Sequence, residues 1–319
     1  MIHILLAAQG FEEQHIARIN QVIDGWGTLT AIDPQADAAH YAKALEQAEI
    51  VYGWPPVAAL RNSAVRFVQL ASIGYDGYVG KGLEQQPDLV ICNASGTMDP
   101  GIAENVLAML LAFTRHLPQH LRDQHERRWQ KLPHYGELAG ATACIIGLGG
   151  LGSAIAKRCA ALEMAVIGVR RDPSKGHEIA RQVYPMAQLR AAVAQADHVI
   201  AILPASDTTH HVIDKGVFAA MKPSAYFYNI GRGSTVEEQA LIARLASGQL
   251  AGAGLDVFEA EPLADASPLW AMDNVIITPH IGGRSAREFD RLADLLCENL
   301  RSYHAGEPLR NQIVLGLEN

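Results

Sequence analysis

Residues 141–169, ATACIIGLGGLGSAIAKRCAALEMAVIGV, constrain the fold more than any other stretch of the chain. The run Thr142–Ile146 has the composition of a buried strand; a glycine turn follows, then a helical pattern, then a second apolar strand. Gly147, Gly149 and Gly152 form a GxGxxG pattern in the context that gives it meaning. The first glycine permits the tight turn, the second lets backbone approach a pyrophosphate, and the third lets helix and strand pack closely. Gly150 and Leu151 open the helix, whose N-terminal N–H groups face the phosphate charge. The block predicts a βαβ unit that binds a dinucleotide.

The same alternation runs almost throughout. IHILLA, TLTAI, IVYG, FVQL and LVICN are strand candidates in the first third, with a helical pattern over 12–23 between the early ones. HVIAIL, AYFYNI, the stretch before Asp256, and VIIT follow in the second half, and a last helix is expected over 287–303. Asp99 suits an N-cap and Pro100 the first helical position, opening a long helix that is expected to run past Arg115. At 319 residues the chain suits two domains, both α/β with parallel sheets. The expected division is a discontinuous substrate domain, 1–99 with 285–319, and a dinucleotide domain, 100–284. A cleft between the two would close to expel water.

VIGVRRDPS ends the second strand of the glycine-turn unit. An NAD site normally has an acidic residue just after that strand, accepting hydrogen bonds from the ribose hydroxyls. Here the strand is expected to end at Val169, with Arg170 in that place and Arg171 beside it. A guanidinium grips phosphate bidentately and stacks on adenine, so the pair suits the 2′-phosphate of NADP. Ser174 and Lys175 add to the same pocket. The competing reading is a solvated basic turn neutralised by Asp172.

Three further segments bring polar residues to strand ends: NIGRG with Arg232, GLDVFEAEPL with Asp256 and Glu261, and TPHIGG with His280. Together with ASIGYDG, GLGGLG and LPASDTT, they resemble the D-isomer-specific 2-hydroxyacid dehydrogenase family over nearly the whole chain. Within it the chain is similar to the NADPH-dependent glyoxylate/hydroxypyruvate reductase branch. The resemblance implies a catalytic set of Arg232, Glu261 and His280. Reduction of a 2-keto acid needs a hydride on carbon and a proton on oxygen. Imidazole can supply the proton, a hydrogen-bonded Glu261 favours the imidazolium, and Arg232 offers a fork to the carboxylate or keto oxygen. The family likeness also implies cofactor contacts at Pro204, Thr208, Ile230, Asp256 and Gly282. It places the substrate carboxylate on backbone N–H groups around Ile73 and Gly74, and it implies a homodimer through the helix after Asp99. Trp54, in VYGWPP, either walls the same pocket or packs as an ordinary loop aromatic. Met98 and Asn105 depart from residues usual in the helix-entry segment. Glu104 is taken as structural, and His210 and His211 are given no chemistry.

Composition narrows the field. A net charge of −8 and a pI near 5.9 disfavour nucleic acid or anionic membrane as partners. No apolar run approaches the roughly 20 residues of a membrane span, and MIHILLAAQG lacks the features of a leader. The four cysteines are scattered with no CxxC, which points to buried thiols in a cytoplasmic protein and to no metal site. His116 and His120 have the spacing of a metal pair on a helix, but Gln119, Arg122, Asp123 and Glu126 mark a solvated face. The reading is an NADPH-dependent reductase of a small 2-keto acid, with glyoxylate or hydroxypyruvate foremost. Two alternatives remain: a dinucleotide-sensing corepressor-like protein, and an NAD-dependent phosphoglycerate dehydrogenase. The full catalytic set and the lack of an appended tail disfavour the first; an end at Asn319 without a regulatory domain disfavours the second.

Overall fold

The computed structural model of the chain describes residues 1–315. It divides into two compact units, Met1–Met98 with the segment from Ser285 onward, and Asp99–Arg284. The first unit begins β1 (Ile2–Ala7), α1 (Glu13–Ile23), β2 (Gly27–Ile32), α2 (Ala38–Gln47), β3 (Ile50–Gly53), α3 (Val57–Leu60), β4 (Phe67–Leu70), β5 (Val90–Cys92). These strands form a five-stranded sheet in the order β2-β1-β3-β4-β5, parallel at every pairing. Alternate residues point to opposite faces of a strand, so Leu5, Val51 and Val68 join one core while Ile4, Ile50 and Phe67 join another. A parallel sheet covered on both faces explains why its inner strands are continuous apolar runs.

The second unit holds α4 (Asp99–Thr114), α5 (Leu117–His125), β6 (Thr142–Ile146), α6 (Gly150–Ala161), β7 (Ala165–Arg170), β8 (Gln182–Pro185), α7 (Leu189–Val193), β9 (His198–Ala201), α8 (Lys215–Ala220), β10 (Tyr226–Asn229), α9 (Glu238–Ala246), β11 (Gly252–Leu255) and β12 (Val275–Ile277). Its seven strands run β12-β11-β10-β9-β6-β7-β8, all parallel. The order reverses at β6, which lies between β9 and β7, and ligands of open α/β sheets bind beyond the strand ends at such a switch point.

Three local expectations need correction here. The helix after Asp99 does not run past Arg115: it stops at Thr114, and a separate helix starts at Leu117. His116 sits between them with φ +54°, and Pro118 falls in the first turn of α5. A proline there cannot donate to the preceding turn and its ring would clash with the carbonyl four residues back, so one continuous helix is unavailable. For the same reason His116 and His120 do not share a helix; both contact the Tyr135 ring, and His120 Nε2 lies 2.9 Å from its hydroxyl. Asp99 is the first helical residue rather than the cap, where its charge still suits the helix N-terminus.

The chain then returns to the first unit as α10 (Glu288–Ala305), which packs along α1 with His15 Nε2 3.0 Å from Asp290. Beyond it, Gln312 bridges antiparallel to Cys92, and the Ile313 N–H donates to the Ile91 carbonyl at 2.9 Å. All four cysteines are buried, and burial pushes the thiols of Cys92, Cys144 and Cys159 up to about 12. No helix among the described residues is long and apolar enough to cross a membrane.

Candidate functional site

In the second unit the paired strands end nearly level: Ile146 lies beside Val169 and Ala201, Asn229 beside Ala201 and Leu255, and Leu255 beside Ile277. Because every strand is parallel, the loops that follow all leave from one edge of the sheet. Those loops carry the glycine turn, Pro204, Arg232, Asp256, Glu261 and His280, and Arg170 ends β7 at the same edge.

The glycine turn is built as its spacing predicts. Gly147 has φ +110°, and a β-carbon on Gly152 would lie 2.3 Å from the Gly147 carbonyl oxygen, so helix and turn are pressed together. A β-carbon on Gly149 would meet nothing within 4 Å, which leaves room above the turn for a ligand. Gly149 caps α6 and has no side chain, so the N–H groups that open this helix at Gly150 and Leu151 receive no side-chain cap from it. Uncapped N–H groups at a glycine turn fit the pyrophosphate of a dinucleotide.

Arg170 is the last residue of β7, one position later than the expected strand end at Val169. One of its donors is used inside the following loop, on the Gly176 carbonyl at 3.1 Å. Arg171 is exposed and makes no side-chain bond among the described residues. Ser174 turns back on Asp172, donating through both its N–H and its hydroxyl, and these bonds hold Asp172 below the usual carboxylate range. His177 fastens this loop to α6: its Nδ1 accepts from the N–H groups of Ile179 and Ala180, so Nε2 carries the proton it gives to Ser153 Oγ at 2.9 Å. Sequence reasoning passed over His177.

Arg232 stands on a tight turn past β10. Asn229 closes that turn at both ends, its Oδ1 accepting from Gly231 and its Nδ2 donating to the Arg232 carbonyl. The flanking glycines are obligatory: a β-carbon on Gly231 would lie 2.6 Å from the Leu203 oxygen, and one on Gly233 only 1.8 Å from the Phe258 oxygen. The Arg232 turn therefore rests directly on the backbone of the loop that carries Glu261. Glu261 Oε1 accepts from the Phe258 N–H at 3.1 Å, and its Oε2 lies 2.7 Å from His280 Nδ1. With Nδ1 engaged by a carboxylate, the ring presents Nε2, which has no partner among the described residues.

His280 holds φ +52°, a conformation rare outside glycine, and is fixed in it by Asp256. The Asp256 carbonyl accepts from the His280 N–H at 2.8 Å, while its carboxylate accepts from Ile281 N, Gly282 N and the Thr278 hydroxyl. Asp256 is 2% exposed, so its visible task is to anchor the histidine turn. Ile230 is buried at 6%, and Pro204 and Thr208 lie on an exposed loop in which the Pro204 carbonyl accepts from the Thr209 hydroxyl. Glu104 approaches Arg158 at 4.0 Å. His211 Nε2 lies 2.7 Å from Glu259 Oε1, and Glu259 and Glu238 each accept from the other's backbone N–H. Burial among these groups raises the Glu238 pKa. This brace, which ties the start of α9 to the loops after β9 and β11, was invisible in the sequence, because nothing local marks which N–H a glutamate reaches.

In the first unit, Trp54 is 57% exposed and donates through Nε1 to Ser72 Oγ at 3.1 Å. Ile73 and Gly74 follow Ser72 in the loop after β4, and Met98 packs against Ala94, Leu292 and Leu295.

Residues 107–282 match the family described as D-isomer specific 2-hydroxyacid dehydrogenase, NAD binding domain. A D-3-phosphoglycerate dehydrogenase of Archaeoglobus fulgidus is 34% identical over 253 residues, 79% of this chain and 47% of that protein, so the chain spans about half that relative's length. A glyoxylate/hydroxypyruvate reductase B of Klebsiella pneumoniae is 34% identical over 272 residues, 82% of this chain and 83% of the relative. A D-isomer specific 2-hydroxyacid dehydrogenase from Xanthobacter autotrophicus, solved in complex with NADPH and MES, superposes with a TM-score of 0.81 at 29% identity, covering 98% of each chain. With the matched segment taking in the glycine turn, Arg232, Glu261 and His280, the chain belongs to the D-isomer-specific 2-hydroxyacid dehydrogenase family.

Proposed function

We propose that this chain reduces a small 2-keto acid to the D-2-hydroxy acid with NADPH. The observation that carries the reading is the His280–Glu261 pair, 2.7 Å apart at the same sheet edge as the glycine turn, with His280 Nε2 left to meet a ligand. NADPH supplies the hydride when bound. The turn at Gly147, Gly149, Gly150, Leu151 and Gly152 holds its pyrophosphate through backbone N–H groups. Arg170 and Arg171, with Ser174 beside them, hold the 2′-phosphate, and a guanidinium is suited to that by its charge and its fork. Pro204, Thr208, Ile230, Asp256 and Gly282 line the rest of the cofactor's course.

His280 gives the proton to the keto oxygen, and Glu261 keeps the ring oriented and supports its positive charge. Arg232 grips the substrate and polarises the carbonyl, while the N–H groups of Ile73 and Gly74 take the carboxylate and Trp54 walls the pocket. The Klebsiella relative's name favours glyoxylate or hydroxypyruvate, and the NADPH in the Xanthobacter structure favours the phosphorylated cofactor. Leu111, Leu117, Leu121 and Trp129 are exposed on and just after the helices that follow Asp99, which supports a homodimer through that surface. Buried thiols suit a cytoplasmic setting.

The test is product chirality. Hydroxypyruvate incubated with NADPH should give D-glycerate on chiral chromatography. L-Glycerate, or no turnover alongside NAD-dependent oxidation of phosphoglycerate, would replace this reading.

A further inference from the structure

We infer that Asn93, with Ser72 and Trp54, positions the substrate loop by capturing its carbonyls and so aiming its N–H groups. The inference rests on the reading of Ile73 and Gly74 as carboxylate donors, and it names what makes them so.

Three successive carbonyls in this loop are taken. The Ser72 carbonyl accepts from the Ala94 N–H at 2.8 Å. The Ile73 carbonyl accepts from Asn93 Nδ2 at 2.8 Å. The Gly74 carbonyl accepts from Ser72 Oγ at 2.7 Å, and that hydroxyl in turn accepts from Trp54 Nε1. A trans peptide is planar with its C=O and N–H pointing opposite ways. Fixing the Ser72 carbonyl therefore fixes the Ile73 N–H, and fixing the Ile73 carbonyl fixes the Gly74 N–H. Neither N–H has an acceptor among the described residues. Two adjacent N–H groups held in this way form an anion-binding concavity.

Asn93 can act on the loop because it is itself held. It is 6% exposed, its Oδ1 accepts from the Ser95 N–H, and its own N–H donates to the Asn311 carbonyl at 3.0 Å. Asn311 reaches back to the Ser95 carbonyl through Nδ2 at 2.8 Å. Below it, Gln69 donates to the carbonyls of Cys92 and Asn93, and its oxygen accepts from Asn299 on α10 at 2.7 Å. The stretch around residue 311 is thus part of the support for the loop.

The test is binding of oxamate, a carboxylate that mimics a 2-keto acid and is not reduced, to the protein saturated with NADPH. Asn93→Asp keeps the shape but sets an acceptor against the Ile73 carbonyl. It should weaken oxamate by roughly tenfold or more, leave NADPH affinity unchanged, and raise KM for the keto acid more than it lowers kcat. Ser72→Ala, on a partly exposed loop, should weaken oxamate less, and Ser72→Thr should restore it. Wild-type oxamate affinity in both Asn93→Asp and Ser72→Ala, each folded, would overturn the inference and leave the reductase reading intact. Failure of the wild type to bind oxamate would remove the carboxylate role of the loop and the inference with it. If oxamate binding depends on Asn93 while no keto acid is reduced, the positioning role holds and the proposed reaction falls.

Discussion

His280 holds a left-handed backbone conformation that costs free energy at any residue with a β-carbon, and such conformations persist where the surroundings hold them. Here the surroundings are Asp256, which takes the N–H groups of residues 280, 281 and 282. Asp256 was legible as a polar residue at a strand end, but not as an anchor, since the sequence does not say which N–H groups converge on a carboxylate. Glu261 and His280 were legible because their motifs are specific; that one carboxylate oxygen faces Phe258 N–H and the other the imidazole was not. Replacing His280 with Gln keeps the residue polar and removes the titrating ring. We expect kcat for keto-acid reduction to fall roughly 10²–10⁴-fold with the NADPH dissociation constant unchanged, measured by stopped flow and fluorescence titration. A loss below tenfold would assign the proton to another group.

At the scale of elements, parallel strands ending level are what bring residues from six loops to one edge. Their apolar runs made them readable, whereas β8 was missed because QVYP is short, half exposed and ends in proline, as an edge strand can. The break between α4 and α5 is written in Pro118, which the expectation of one long helix left out of account. Contact between the Arg232 turn and the Glu261 loop depends on the missing side chain of Gly233. Gly233→Ala would drive a β-carbon into the Phe258 carbonyl, so the two loops must part. We expect a stability loss of roughly 1–3 kcal/mol in urea titration and a kcat reduced by up to about 100-fold. Unchanged kcat in the folded variant would show that the spacing of these loops does not govern the reaction.

Over the whole molecule, the alternation of strands and helices made the α/β class readable, because a parallel sheet buried on both faces leaves continuous apolar runs. Buried polar groups were not readable as such. His198 on β9 lies in the sheet, Nδ1 3.0 Å from the Tyr228 hydroxyl, and burial lowers its pKa from 6.5 to about 4. Between those values the unfolded chain binds a proton that the folded chain refuses. Stability contributed by this group is therefore present above pH 6.5 and lost as pH falls through the window to about 4. From pH 7 to pH 5 we expect a loss of roughly 2 kcal/mol from this residue, seen as a lower urea midpoint and much reduced in His198→Gln. An unchanged pH dependence in that variant would place the acid sensitivity elsewhere.

The most direct test of the account is the ratio of kcat/KM for NADPH over NADH, measured with glyoxylate, hydroxypyruvate and pyruvate in turn. We expect a preference for NADPH of roughly tenfold or more, from the charge-assisted bonds at Arg170 and Arg171, and one favoured two- or three-carbon acid. Equal or better use of NADH would contradict the reading of the two arginines, and no turnover with any acid would contradict the reductase itself.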